Sequence, residues 1–181
     1  MTMHAAATKT TALAALGALL DYPGDAFQER YDEALEAARA FSPAAAGALE
    51  TFARELAGLS TEHAQEIYTR SFDLSPVCVP YLSVHLFGAE SFKRAELMTG
   101  LSAAYERIGF DRGAELPDHA ALVLTCAPHF GAEEWADLET LVLTPAFEKM
   151  AAALETAGSP WRHAARAALA LLTMGDDSDG Y

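Results

Sequence analysis

The sequence is poor in the residues that build sheets. Valine and isoleucine together number 7 among 181 residues, against 39 alanines and 23 leucines. β-branched side chains suit a pleated, half-buried surface, so their scarcity argues against a sheet protein. Cysteine is also scarce: Cys78 and Cys126 are the only two, and they are not spaced as a CxxC pair. Two are too few for a disulfide framework and read as reduced, partly buried thiols of a cytoplasmic protein. No apolar run reaches the roughly 18 residues that a bilayer span needs, so no membrane insertion is expected. No Gly-x-Ser-x-Gly elbow, Walker loop or dinucleotide fingerprint occurs, which leaves nucleophilic catalysis without an anchor. Basic residues are few: 12 Lys and Arg stand against 26 Asp and Glu, for a net charge of −14. Such a surface repels phosphate backbones, so nucleic acid is excluded as a partner and a basic peptide is the natural one.

What the chain does contain points to helices. Ala, Leu and Glu lose little rotamer freedom in a helix. The length suits one domain, which at this size buries roughly 70% of its unfolded surface without a disulfide or metal. Lys9 followed by Leu13, Leu16, Leu19 and Leu20 resembles the apolar core of a signal peptide. The run leads straight into Asp21-Tyr22-Pro23-Gly24 with no small-x-small cleavage site, so it reads as a first helix. Asp25 with Gln28 suggests a capping box ahead of Phe27, Tyr31, Leu35 and Ala38. Ser42-Pro43 reads as an N-cap and first turn, and another helix starts near Thr61. Two prolines break residues 73 to 80. A short helical piece from Tyr81 to Phe87 and a long helix from about Ser91 to Ile108 follow. Pro117, Thr144-Pro145 and Ser159-Pro160 each read as helix openings, with a further helix around Trp135. The expected fold is all-α: a single-domain helical bundle of about eight to ten helices over residues 11–174. Residues 1–10 and an acidic tail, 175–181, are expected to be flexible.

Three features could carry chemistry. Asp118-His119, beside Pro117, places a carboxylate next to an imidazole, a pairing used in acid–base work. Neighbours on a helix point about 100° apart, however, so the simpler expectation is a helix-opening Asp and a partly exposed His. His119, Cys126 and His129 are metal-ligand types, but two helical turns and Pro128 separate them, and no metal or cofactor is expected. A small helical metal-binding protein or enzyme on those three residues is the alternative reading. The third feature is charge: residues Asp111 to Glu148 hold eight acids and one base, Arg112, or half the net charge. They form either solvated helix faces or an electronegative groove beside the Pro117-Asp118-His119 turn that attracts an Arg-bearing peptide.

The runs LLDYPGDAF (19–27), EIYTRSFDLSPVCVPYLSVHLFG (66–88), FKRAELMTGLSAAYERIGF (92–110) and ELPDHAALVL (115–124) resemble the NarJ/TorD/DmsD family. These are molybdoenzyme-specific chaperones, also called redox enzyme maturation proteins. The likeness is to the NarJ-like branch, the nitrate reductase delta subunits, and covers roughly residues 13 to 130. It implies a TorD-like helical fold and a cytoplasmic, non-enzymatic protein. It also implies a partner: the N-terminal peptide of the catalytic molybdenum subunit of a DMSO-reductase-family oxidoreductase. The chaperone would assist that subunit's cofactor insertion and, for exported clients, its twin-arginine targeting, acting as a monomer or possible dimer. Carried onto this chain, the implied client-peptide contacts are Glu115, Pro117, Asp118 and His119, with Phe72, Tyr81 and His85 on the aromatic side. The segment 73–80 is placed to act as a gate over them.

Overall fold

Apolar spacing and cap chemistry set the helices. The computed structural model describes residues 8–74 and 76–175. These residues form ten α-helices: α1 (Lys9–Leu19), α2 (Phe27–Phe41), α3 (Pro43–Leu56), α4 (Thr61–Phe72), α5 (Leu82–Phe87), α6 (Phe92–Ile108), α7 (Ala120–Thr125), α8 (Ala132–Leu138), α9 (Thr144–Thr156) and α10 (Trp161–Leu172). A 3-10 turn at Ala127–His129 follows α7, and a π turn at Glu139–Leu143 joins α8 to α9 in one continuous helical run. The fold is thus all-α, with the expected number of helices and no strand among the described residues. The expected flexible ends lie mostly in 1–7 and 176–181, outside those residues, whereas Thr8 already caps α1 by accepting from Thr11 N–H.

Several expected boundaries hold and two shift. Ser42 Oγ accepts from Ala45 N–H at 3.1 Å, so Ser42-Pro43 does open α3. Ser60 Oγ does the same for α4 through His63 N–H, at 3.2 Å. Gly109, at φ 69°, ends α6 in the left-handed conformation that costs glycine no Cβ clash. The Asp25–Gln28 capping box does not form: α2 starts after Ala26 without a side-chain cap, and Gln28 Nε2 donates to Asp32 Oδ1 instead. Nor does Pro117 open a helix; α7 begins at Ala120, because residues 117–119 bond across to another segment.

The core forms around α1, whose Leu13, Leu16 and Leu19 are wholly buried against α7, α2 and α10. At Gly17 the α1 and α7 backbones touch. A Cβ there would stand 2.7 Å from Thr125 N and 2.8 Å from Ala121 O. A second centre is aromatic. Trp161, at the start of α10, lies 5.0 Å ring to ring from both Phe52 of α3 and Tyr68 of α4, with Phe72 and Phe27 around it. Lys9 then ties three ends together. Its ammonium pairs with Glu139 of the π turn and donates to Met174 C=O at 3.0 Å, just past α10, where a helix dipole favours a cation.

Gly17→Ala is therefore expected to destabilise the fold by about 1–3 kcal/mol, since the methyl meets backbone that cannot rotate away. The roughly 1 kcal/mol of helix propensity gained by alanine only partly offsets that. Urea unfolding followed by circular dichroism measures it; an unchanged midpoint would mean that α1 and α7 can separate freely.

Candidate functional site

The Pro117-Asp118-His119 turn is clasped to the residues just before and within α5. Leu82 N–H donates to Asp118 C=O at 2.9 Å, and Ala120 N–H donates to Pro80 C=O at 2.8 Å. Tyr81 and His119 thereby form an isolated antiparallel bridge, the one pairing of this kind among the described residues. The Asp118 side chain completes the clasp: its Oδ2 accepts from Ser83 N–H at 3.2 Å and from Ser83 Oγ–H. Arg94 Nε in turn donates to Ser83 Oγ at 3.0 Å, so a cation on α6 reaches the carboxylate through one hydroxyl. From the other side Tyr105 O–H donates to Pro117 C=O at 2.8 Å. Asp118 is 0% exposed. The expectation of a helix-opening Asp at the surface is thus corrected: Asp118 is a buried acceptor facing another element. A buried carboxylate is costly unless it is hydrogen-bonded; Ser83 supplies two bonds to Oδ2, while Oδ1 is buried without a hydrogen-bond partner among the described residues.

The turn forms one wall of an open groove of about 440 Å³. Glu115 and His119 line it together with Asp21, at the end of α1, and Phe110, after α6. Two arginines also line it, Arg30 of α2 and Arg112. Arg30 donates to the Ala18 and Tyr22 carbonyls, and Arg112 donates to Glu115 C=O, so both cations are held by backbone. The groove is therefore of mixed charge, which corrects the second of the two readings of that charge, an electronegative groove beside the turn. Tyr81 reaches this wall too: its hydroxyl lies 3.4 Å from Glu115 Oε1, and its ring stands edge-on to His119 at 5.8 Å. Burial pushes the Tyr81 hydroxyl up, and the nearby Glu115 carboxylate adds to the shift. Burial pulls His119 below the ordinary histidine range, against the opposing pull of Glu115, Asp21 and Asp118. His119 is 8% exposed, so the expected partly exposed imidazole is corrected to a largely buried, neutral one with one face on the groove.

The remaining sequence candidates fall elsewhere. Phe72 is 6% exposed and packs on Tyr68 and Trp161 in the aromatic core, behind the groove rather than on it. His85 is half-buried on α5, where Nε2 lies 2.8 Å from Val79 C=O and burial lowers its pKa. Those contacts tether the segment expected to gate the site. Cys78 N–H donates to Ser71 C=O at 3.0 Å, and the Cys78 thiol is buried and pushed up to about 12 by burial. Ser75 alone of that segment lies outside the described residues. His119, Cys126 and His129 do not gather: His129 is exposed, Cys126 is fully buried with its thiol pushed up to about 11, and no group of three metal-ligating side chains occurs among the described residues. Sequence reasoning missed Ser83, Arg94, Arg30 and Arg112. Asp21 was visible in the LLDYPGDAF run, but no spacing linked it to Glu115.

These features describe a helical protein with a clasped polar turn at the lip of a groove. The chain belongs to the nitrate reductase delta subunit family, whose sequence pattern matches residues 25–167. No curated protein matches it individually. A crystal structure from Archaeoglobus fulgidus, of a protein provisionally described as a redox enzyme maturation protein, has the same fold. The two share 20% identity with a TM-score of 0.65, over 96% of this chain and 99% of that one. No helix among the described residues is long and apolar enough to cross a membrane.

Two outcomes follow from the clasp. Asp118→Ala leaves Ser83 N–H buried without its acceptor and is expected to cost about 2–3 kcal/mol. Ser83→Ala should cost less, about 1 kcal/mol, since the backbone donor remains. Urea titration of both variants checks the order. His119 and His85 have native pKa values below the unfolded value, so the unfolded chain binds the extra protons. Stability is therefore full above about pH 6.5 and falls as the pH drops towards 5. The melting temperature of the wild type should decline across that window, and His119→Gln with His85→Gln should flatten the decline.

Proposed function

We propose that the protein is a cytoplasmic maturation chaperone, a binding protein without turnover, for the catalytic subunit of a molybdenum oxidoreductase. Family membership over residues 25–167 carries this reading. The client element would be the subunit's N-terminal segment, and the docking place the groove beside the clasped turn. Glu115 and His119 present side chains to it, Tyr81 stands against both, and Pro117 and Asp118 hold their positions. Phe72 and His85 would support the same wall, one from the core and one from the tethered 79–85 segment. Asp21 and Glu115 can pair with basic residues of such a peptide, and Phe110 and Leu122 give it an apolar contact. Holding that segment would keep the apoenzyme open for cofactor insertion and delay twin-arginine export until assembly is complete.

Calorimetry with a synthetic peptide of the client subunit's N-terminal segment tests this. Tyr81→Ala, Glu115→Gln and His119→Ala should each weaken binding about tenfold or more, and the wild-type affinity should fall with added salt. Equal affinity in all three variants would remove the groove from the binding site. Purification of the mature reductase complex should yield it without this chain; stoichiometric retention would make the protein a permanent subunit instead.

A further inference from the structure

The acidic stretch from Asp111 to Glu148 borders a second groove, which shares no lining residue with the one at the clasped turn. Between α6 and the α8–π run lies an open channel of about 420 Å³. Its floor is apolar, made by Leu97 and Leu101 of α6 with Leu138 and Val142 opposite. Leu141, in the π turn, is 66% exposed at its edge. The π turn contributes directly, because its wider coil changes which side chains face out where α8 runs into α9. Phe92, one turn before Glu96 on α6, is 80% exposed and continues the same side of the helix.

Gly100 marks this channel as built to stay open. It sits in the interior of α6, where glycine costs about 1 kcal/mol relative to alanine. Its φ is not positive, and a Cβ placed on it would meet nothing within 4 Å, so neither backbone strain nor packing requires glycine there. The missing side chain does lower the α6 wall of the channel.

The rim sets the charge of what fits. Glu96 and Asp137 stand on opposite sides, and neither has an ion-pair partner among the described residues. Arg107 Nη2 donates to both Glu134 carboxylate oxygens, at 2.7 and 2.6 Å, which fastens α8 to α6 at one end of the channel. An apolar floor between unpaired carboxylates complements a helix with a leucine-type stripe flanked by lysines or arginines. A second copy of this chain is a poor fit, since it brings the same carboxylates and a net charge of −14 to the contact. We propose that this channel is a second docking site, separate from the groove at Glu115 and His119, and that it takes a basic amphipathic helix of a partner protein. α6 has 17 residues and spans about 25 Å, which accommodates a partner helix of four turns.

The test uses the full chain and a fluorescein-labelled synthetic peptide of about four helical turns, with leucines at i, i+3, i+4 and i+7 spacing and lysines on both flanks. Fluorescence anisotropy at fixed salt reads binding, and circular dichroism confirms folding of each variant. Gly100→Leu puts a branched side chain into the channel, adds helix propensity and has a Cβ with nothing within 4 Å, so it should stay folded while weakening the peptide at least tenfold. Glu96→Gln with Asp137→Asn should weaken it several-fold and flatten the salt dependence. Tyr81→Ala, which removes a neighbour of Glu115 and His119 at the other groove, should leave the affinity unchanged. Wild-type affinity in Gly100→Leu overturns the proposal. Equal loss in Tyr81→Ala overturns it too, by placing the peptide in the groove at Glu115. A concentration-dependent dimer in sedimentation that Gly100→Leu abolishes overturns it in favour of a second copy.

Discussion

The hydrogen bonds from Ser83 to the buried Asp118 carboxylate are the constraint on which the site depends. They hold α5 against the turn that precedes α7, and through that turn they fix Tyr81 beside Glu115 and His119. The backbone bonds of Leu82 and Ala120 and the Tyr105 hydroxyl bond to Pro117 join neutral groups, whereas Asp118 brings a fully buried charge to the clasp. A buried carboxylate cannot be left to itself, so Asp118 demands its donors and thereby sets the register of the two segments. Arg94 extends the same logic to α6, since its guanidinium donates to the hydroxyl that donates to Asp118. One short polar chain thus ties α5, α6 and the 117–119 turn.

Helical geometry disperses a charge that looks concentrated in the sequence. Of the acids between Asp111 and Glu148, Asp118 is buried in the clasp and Glu115 faces the mixed-charge groove. Glu134 and Asp137 turn to the other channel, and Glu139 pairs with Lys9 near the end of α10. Asp111 Oδ1 accepts from Gly113 N–H in its own loop. A single segment therefore supplies a structural anchor, one member of the mixed-charge groove, the rim of a second channel and a tie to the chain's first helix. Arg30 comes from α2, outside that stretch, and of the stretch's acids only Glu115 lines the first groove beside Arg112, which is why linear charge counting places its net sign wrongly.

Legibility differs by element. The 42–43 and 60–61 helix starts were readable because a serine cap acts within three residues. The Asp25–Gln28 pair offered the same pattern and failed, because Gln28 found a partner on the next turn of its own helix. Pro117 looked like a helix opener for a sound local reason, yet the long-range bonds from Leu82 and Ala120 took precedence over it. Phe72 looked like a surface aromatic of the site, but Trp161, 89 positions further along, draws it into the core.

Composition and short patterns were enough for a helical, acidic chain and for its family. Those properties rest on composition and on patterns spanning a few residues, where propensity and caps act. Tertiary structure alone decided which side chains share a space: Ser83 with Asp118 across 35 residues, Asp21 with Glu115, and Gly100 with Leu141. The reason is physical. Burial and hydrogen-bond satisfaction are properties of packed elements, so the same aspartate is a helix cap in one packing and a buried clasp in another.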